Sequence, residues 1–334
     1  MTHPRTEIRL ALPSKGRLAE EALEMLDRAG LPVYKPNPRQ YRALIPALPG
    51  LTVLFQRPWD IITSLRDGSV DFGLTGWDLY SERRGENGGL LPLLPDLGFG
   101  RCTLNAIVPE SWSEVETMAD LAAWSAAQGA APRVATRFPV LAGAFFASHG
   151  LPQAQMITAE GTLEIAPTIG YADLIVDLVS TGTTLRDNRL KLLQDGLVLR
   201  SQACLLAGRA ALKQRIDVLA VARQLLEFLV AYQRGAENVS VFANMRGDDP
   251  AEIAARMFTQ DVIGGLQGPT ISPVITRDGE RWHAVHLVVR KDQLARAIGE
   301  LRQIGGSGVV VAPVTYIFEE EPQAFRDLLA ALEE

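Results

Sequence analysis

The stretch LEIAPTIGYADLIVDLVSTG, Leu163–Gly182, reads as a helix, a Gly170-x-x-Asp173 step, an apolar strand and a Thr181-Gly182 exit. WDIITSLRDGSVDFGLTG, Trp59–Gly76, runs in the same order: helix, Gly68-x-x-Asp71, strand, Thr75-Gly76. An apolar run bounded by turn residues is the pattern of a strand covered on both faces. Two such units predict two similar α/β lobes, with chance similarity as the competing reading. Ligands of open parallel sheets collect at the carboxyl ends of strands. Both Thr-Gly pairs are therefore expected to line a shared cleft.

Outward from this pair the chain keeps the α/β rhythm. Ile8–Leu12 is a strand, PSKG a loop, and Arg17–Ala29 a helix with Leu18, Ala22, Met25, Leu26 and Ala29 on one face. Gly30 and Pro32 stop it. Pro109–Pro132 predicts an amphipathic helix and a connector, Arg133–Pro139 a strand, and Val140–Leu151 a helix closed by Gly150. Gly196–Gly208 is rich in strand formers, and Gln214–Arg234 is a long helix. After Asn238 the order becomes βαββαβ, with a hairpin across TRDGER, which is the ferredoxin-like arrangement. A last helix, Pro322–Glu334, follows an acidic run that reads as a solvated face.

Bulk properties narrow the partners. The chain has 334 residues, a net charge of −6, 47% apolar and 22% charged residues, so it is long enough for two or three domains. An acidic chain is a poor match for a phosphate backbone, and nucleic acid is not expected. No apolar run reaches the roughly 18 residues a membrane span needs, and the N-terminus lacks a signal-peptide core. A cytoplasmic location and no membrane partner are the expectation. Cys102 and Cys204 lie in apolar surroundings and read as buried thiols rather than a disulfide or metal pair. His283 and His286 fall on opposite faces of a strand and cannot share a metal from it.

The residues that could carry chemistry are few. In STGTTL, Gly182 permits a sharp turn of inward amides, while Ser180, Thr181, Thr183 and Thr184 add hydroxyls, a nest suited to a phosphate monoester. Asp173 and Asp177 precede it and could hold ribose hydroxyls or a Mg²⁺. Lys15, Gly16 and Arg17 form a strand-to-helix loop able to address a polyphosphate, or else an exposed basic turn. Arg57 could clamp an anion, with Asp60 reading as a helix cap. Glu164 either addresses a nucleotide or complements a helix dipole.

Together these stretches resemble the long form of ATP phosphoribosyltransferase over nearly the whole chain. The marks are SKGRL (Ser14–Leu18), RPWDIITSLRDGSVDFGLTG, FGRCTLNAIVP, RVATRFP, GTLEIAP and ADLIVDLVSTGTTLRDN. The resemblance implies a glycosyltransferase, specifically a pentosyltransferase, that joins ATP to 5-phosphoribosyl 1-diphosphate (PRPP) and releases pyrophosphate, the first step of histidine biosynthesis. Adenine N1 attacks the ribose C1, and Mg²⁺ is required. It implies a two-lobed core like type II periplasmic binding proteins, followed by a ferredoxin-like, ACT-like regulatory domain that binds histidine as inhibitor. It also implies homo-oligomers, dimers and hexamers. The expected boundaries are lobe I over 1–102, completed by 186–234; lobe II over 103–185; the regulatory domain over 236–317; and a tail over 318–334.

Carried over by motif, the PRPP loop falls on Asp177–Leu185, where Ser180, Thr181, Gly182, Thr183 and Thr184 hold the 5-phosphate. Asp173, Asp177 and Arg57 are the catalytic candidates, and the two Asp residues also meet the metal, directly or through substrate. Lys15, Gly16, Arg17 and Glu164 bind nucleotide and pyrophosphate. Two positions depart from the family pattern: Ile62 stands where Pro is frequent, and Arg189 where Gly is usual. A solute-binding protein of the same two-lobed fold would have no use for the phosphate loop or the C-terminal unit. A catalytically silent relative is the remaining alternative, and Arg189 is what keeps it in play.

Overall fold

A computed structural model describes residues 6–37, 40–85, 88–159, 161, 163–180 and 182–333. The first lobe is built from β1 (Ile8–Pro13), α1 (Arg17–Arg28), β2 (Arg42–Leu44), β3 (Leu51–Gln56), α2 (Pro58–Arg66), β4 (Phe72–Gly76), α3 (Trp77–Arg83) and β5 (Leu90–Leu94). The second uses β6 (Cys102–Pro109), α4 (Met118–Gln128), β7 (Arg133–Thr136), α5 (Pro139–Ser148), β8 (Gln155–Thr158), β9 (Leu174–Val179), α6 (Thr183–Asp187) and β10 (Leu190–Ser201). The chain then returns to the first sheet with β11 (Ala203–Gly208), and α7 (Arg209–Gln214) and α8 (Ile216–Glu237) follow.

The strand orders are β2-β3-β1-β4-β11-β5 and β10-β6-β9-β7-β8. Setting aside the short β2, each sheet has its second, first and third parallel strands, then an antiparallel strand that has crossed between lobes, then an edge strand. That order in both halves is the arrangement of type II periplasmic binding proteins. The repeat legible in the sequence has a shared structural job. Arg9 N donates to Asp71 Oδ2 at 2.8 Å, and Arg133 N donates to Asp173 Oδ2 at 2.8 Å. Each Asp fastens the amino end of one parallel strand to the next.

Three expectations change. Lobe II runs through Ser201, because β10 pairs antiparallel with β6, so the return to lobe I comes at 202 rather than 186. The helix expected before Gly170 is only a 3₁₀ turn, Leu163–Ile165; Pro167 has no N–H to propagate it further. Thr75 is fully buried and donates to Pro58 O, so it does not line the cleft. Both thiols are free; Cys204 is buried and Cys102 half-buried. One apolar cluster continues from Ile61, Leu65 and Leu79 of the first lobe into Leu104, Val134, Phe138 and Phe146 of the second.

The second compact unit holds β12 (Asn238–Arg246), α9 (Pro250–Phe258), β13 (Thr270–Val274), β14 (Trp282–Arg290), α10 (Leu294–Gln303) and β15 (Gly306–Pro313). Its sheet order, β13-β14-β12-β15, is the second-third-first-fourth order of the ferredoxin-like fold. Val241, Met245, Ile253, Met257, Val285, Leu287 and Leu301 form its core. The tail is α11 (Gln323–Glu333), which belongs to the first unit. Its Phe325 is buried under the Arg223 guanidinium, 5.6 Å from the ring centroid.

Candidate active site

The carboxyl ends of the parallel strands in the two lobes meet. Trp59, in the first turn after β3, packs on Phe138, just past β7, with ring centroids 5.7 Å apart. Around that seam the first lobe gathers cations. Pro13 and Gln56 are register partners on β1 and β3, so the Ser14–Arg17 loop and Arg57 leave the sheet side by side. Adjacent strands lie about 4.8 Å apart. Lys15, Gly16 and Arg17 are exposed, and Gly16 takes φ +80° to start α1. Arg57 is exposed and is itself the N-cap of α2, with Pro58 in the first turn. Asp60 therefore sits inside the first turn rather than capping it.

The second lobe supplies the other wall. Asp177, near the carboxyl end of β9, is buried, and burial pushes its carboxyl above the usual range despite the Leu178 amide and the Arg137 charge. Glu164, in the 3₁₀ turn, adds negative charge beside it. Beyond Asp177 the strand ends and Ser180 is exposed. Gly182 then turns in the left-handed region, φ 72° and ψ 4°, and the backbone enters α6 with Thr184 exposed. Thr181 and the side chain of Thr183 lie outside the described residues.

Asp173 is not part of this site. It stands four residues earlier, at the amino end of β9, roughly 13 Å along the strand from Asp177. Its carboxylate takes Arg133 in a fork, Nη2 to Oδ1 at 2.8 Å and Nε to Oδ2 at 3.3 Å. Desolvation opposes its charge, but the hydrogen bonds and charge of Arg133 outweigh that and hold the carboxyl below its ordinary range. The expected pair of metal-binding aspartates is thus split between the two ends of one strand. Among the described residues, no group of three His, Cys, Asp or Glu side chains could hold a metal by itself.

Sequence reasoning missed the residues at the lobe junction. Asp78, in the first turn of α3, is buried; Ser201 Oγ donates to its Oδ1 at 2.5 Å and accepts from its backbone N at 2.9 Å. Gly76 leaves the room: a Cβ there would stand 2.3 Å from Asp78 Oδ1. Glu82, on the same helix, accepts from Val140 N and Leu141 N, both at 2.9 Å, and so caps α5 of the other lobe. Arg137 follows β7 and sits 3.9 Å from Asp177. Only the fold brings these distant positions together; a charged residue after a strand is otherwise unremarked.

Known proteins resemble this chain over nearly its whole length. The family model described as ATP phosphoribosyltransferase matches residues 57–229, and the model of the HisG C-terminal domain matches residues 236–316. The chain is 43% identical to ATP phosphoribosyltransferase 2, chloroplastic, of Arabidopsis thaliana, over 98% of this chain and 81% of that one. It is 35% identical to the ATP phosphoribosyltransferase of Nitrobacter winogradskyi, over 97% and 98%. The chain belongs to the ATP phosphoribosyltransferase family.

Membership gives the reaction class: a pentosyltransferase using ATP and PRPP at the first step of histidine biosynthesis. The near-complete coverage by relatives at this identity also supports the long form, in which the C-terminal domain is part of the same chain. An ATP phosphoribosyl transferase complex from Thermotoga maritima superposes with a TM-score of 0.51 at 24% identity, covering 67% of this chain and 98% of that one; this likeness speaks for the fold. Among the described residues, no helix is long and apolar enough to cross a membrane.

Proposed function

We propose that transfer takes place where the carboxyl ends of the two sheets meet. The observation that carries this reading is the packing of Trp59 on Phe138, which sets the end of β3 beside the end of β7, with exposed Lys15, Arg17 and Arg57 after the strands of the first lobe and Asp177 near the end of β9 in the second. The 5-phosphate of PRPP is assigned to Ser180, Gly182 and Thr184, where Gly182 turns the backbone, and by motif to Thr181 and Thr183. Asp177 faces the ribose hydroxyls and the positive charge that grows on the sugar. Lys15, Arg17 and Arg57 receive phosphates of ATP and the departing pyrophosphate, whose negative charge increases as the bond breaks. Glu164 lies on the nucleotide side. Joining two bound substrates in the right geometry supplies much of the acceleration without a strong base.

A divalent ion, Mg²⁺, would supply neutralisation of phosphate charge when bound. The scattered carboxylates suit an ion carried by the diphosphate rather than by a protein cage. The ferredoxin-like unit is the seat of inhibition by histidine, and the chain works as a homo-oligomer, dimer or hexamer. A cytoplasmic location is part of this reading. The test is direct. Purified protein with ATP, PRPP and Mg²⁺, coupled to a pyrophosphatase, forms phosphoribosyl-ATP, read by ultraviolet absorbance. Folded protein that forms none removes this reading of the site, and indifference to histidine confines the C-terminal unit to assembly.

A further inference from the structure

Arg137 follows β7 directly, and the next residue, Phe138, packs on Trp59 of the first lobe with ring centroids 5.7 Å apart. Arg57 stands two residues before that Trp59, just past β3. The contact between the lobes is therefore flanked in sequence by one arginine from each. Register places Thr136 opposite Val176, so the next pair across β7 and β9 is Arg137 and Asp177. Arg137 Nη2 lies 3.9 Å from Asp177 Oδ1, and 40% of the arginine side chain is open. That separation makes an ion pair but is too long for a hydrogen bond. Asp177 Oδ1 takes the Leu178 amide at 2.8 Å instead. Arg137 Nε is buried without a hydrogen-bond partner. The amides at the start of α5, Val140 N and Leu141 N, are already taken by Glu82. A buried donor left unpaired is a standing cost, so the described acceptors of the protein do not explain the placement of this guanidinium.

A planar guanidinium matches two oxygens of a phosphate group, where an ammonium offers a single point of charge. In PRPP the two phosphoryl groups lie at opposite ends of the ribose, a monoester on C5 and a diphosphate on C1. The monoester is assigned to the turn after β9 and the ribose hydroxyls to Asp177. The diphosphate is the end that remains for a cation beside Asp177. We propose that Arg137 is a substrate-binding residue supplied by the second lobe: its guanidinium contacts the C1 diphosphate, which Arg57 approaches from the first lobe. Negative charge grows on that group as its bond to C1 breaks, so a fixed cation there holds the transition state more tightly than the ground state. Held beside Asp177, the same cation also offsets repulsion between that carboxylate and the diphosphate. This deepens the reading of the site given above and rests on it.

The test uses the full-length enzyme and two probes, inorganic pyrophosphate with Mg²⁺ and ribose 5-phosphate, each titrated by calorimetry into the native protein, Arg137→Met, Arg137→Lys and Arg57→Met. Arg137→Met is expected to weaken pyrophosphate binding roughly 10- to 100-fold, the range for losing a hydrogen-bonded charge. Ribose 5-phosphate affinity changes by no more than about twofold, because that probe lacks the diphosphate. Arg137→Lys recovers part of the loss, since charge remains and the fork does not. In steady state, Arg137→Met lowers kcat/KM for PRPP by a similar factor and leaves KM for ATP within about twofold. A general loosening of the lobe would weaken both probes alike, and that result overturns the proposal. Native pyrophosphate affinity in Arg137→Met, with Arg57→Met impaired, also overturns it and leaves the site where it was placed. Loss of ribose 5-phosphate in place of pyrophosphate moves Arg137 to the other end of the sugar and refutes the diphosphate contact. Pyrophosphate binding that neither Arg57→Met nor Arg137→Met weakens removes the reading of the site as well. Where Arg137→Met fails to fold, Arg137→Gln, which keeps a polar end without the charge, decides on the same two probes.

Discussion

Asp173 and Asp177 share one strand and have opposite electrostatics. Asp173 is held ionised by Arg133, and its folded pKa is lowered. Its contribution to stability is therefore present above the unfolded carboxylate value, near 3.9, and is lost as pH falls through the folded value. Asp173→Asn should cost roughly 1–3 kcal/mol, the range for a charge-assisted pair, seen as a lower urea midpoint at pH 7 whose deficit shrinks toward pH 3. PRPP kinetics should stay at the native level; a selective rise in KM for PRPP would return Asp173 to the site. Arg189 offers a second residue-scale case. It is the one non-glycine residue with positive φ, 53°, among those described, which explains why a glycine is usual at that place. Its N–H donates to Arg186 O and its carbonyl accepts from Glu110 N, so it serves a turn rather than the chemistry. Left-handed backbone costs a substituted residue about 1–2 kcal/mol. Arg189→Gly should raise the thermal midpoint with activity intact, and a fall in both would assign the side chain a role not visible in its contacts.

At the level of elements, Glu82 shows how a lobe is held. One carboxylate on α3 meets two amides in the first turn of α5, where helix donors lack partners of their own. Glu82→Ala should cost roughly 1–3 kcal/mol in unfolding experiments, as expected when partly buried donors lose an acceptor. It should also raise KM for both substrates, because the carboxylate of α3 joins its lobe to the start of α5 in the other; an effect on one substrate alone would contradict a lobe-wide role. Strands, helices and the repeated Gly-x-x-Asp were legible in the sequence because burial imposes periods on residue type. The ends of elements were less so. Arg57 occupies the cap that Asp60 was expected to fill, and a 3₁₀ turn stands where a helix was expected, since backbone path and Pro167 decide these points locally. Arg137, Asp78 and Glu82 could not be found by pattern, because their meaning arises from strand register and from contact between lobes. The cationic loop and the Gly182 turn were readable because each is continuous in the chain.

For the whole molecule, charge and packing act on different ranges. The net charge of −6 coexists with exposed Lys15, Arg17 and Arg57 after the strands of the first lobe, so on the proposed assignment selection for anionic substrates is local rather than global. Packing instead divides the chain into two compact units, and the last helix rejoins the first of them after the ferredoxin-like fold is complete. Phe325 and Leu328 of α11 are buried, and Arg209 Nη1 donates to Ala331 O at 2.6 Å near the end of that helix. Burying two side chains of that size stabilises by about 3 kcal/mol or more. A chain ending at Glu321 should therefore lose stability in the unit that carries the cleft while β12–β15 keep their own core, which draws nothing from α11. Calorimetry should show one transition moved down by several degrees and another left in place. If both moved together, the two units would be unfolding as one, and the division of the chain into a catalytic body and a self-contained ferredoxin-like fold would fail.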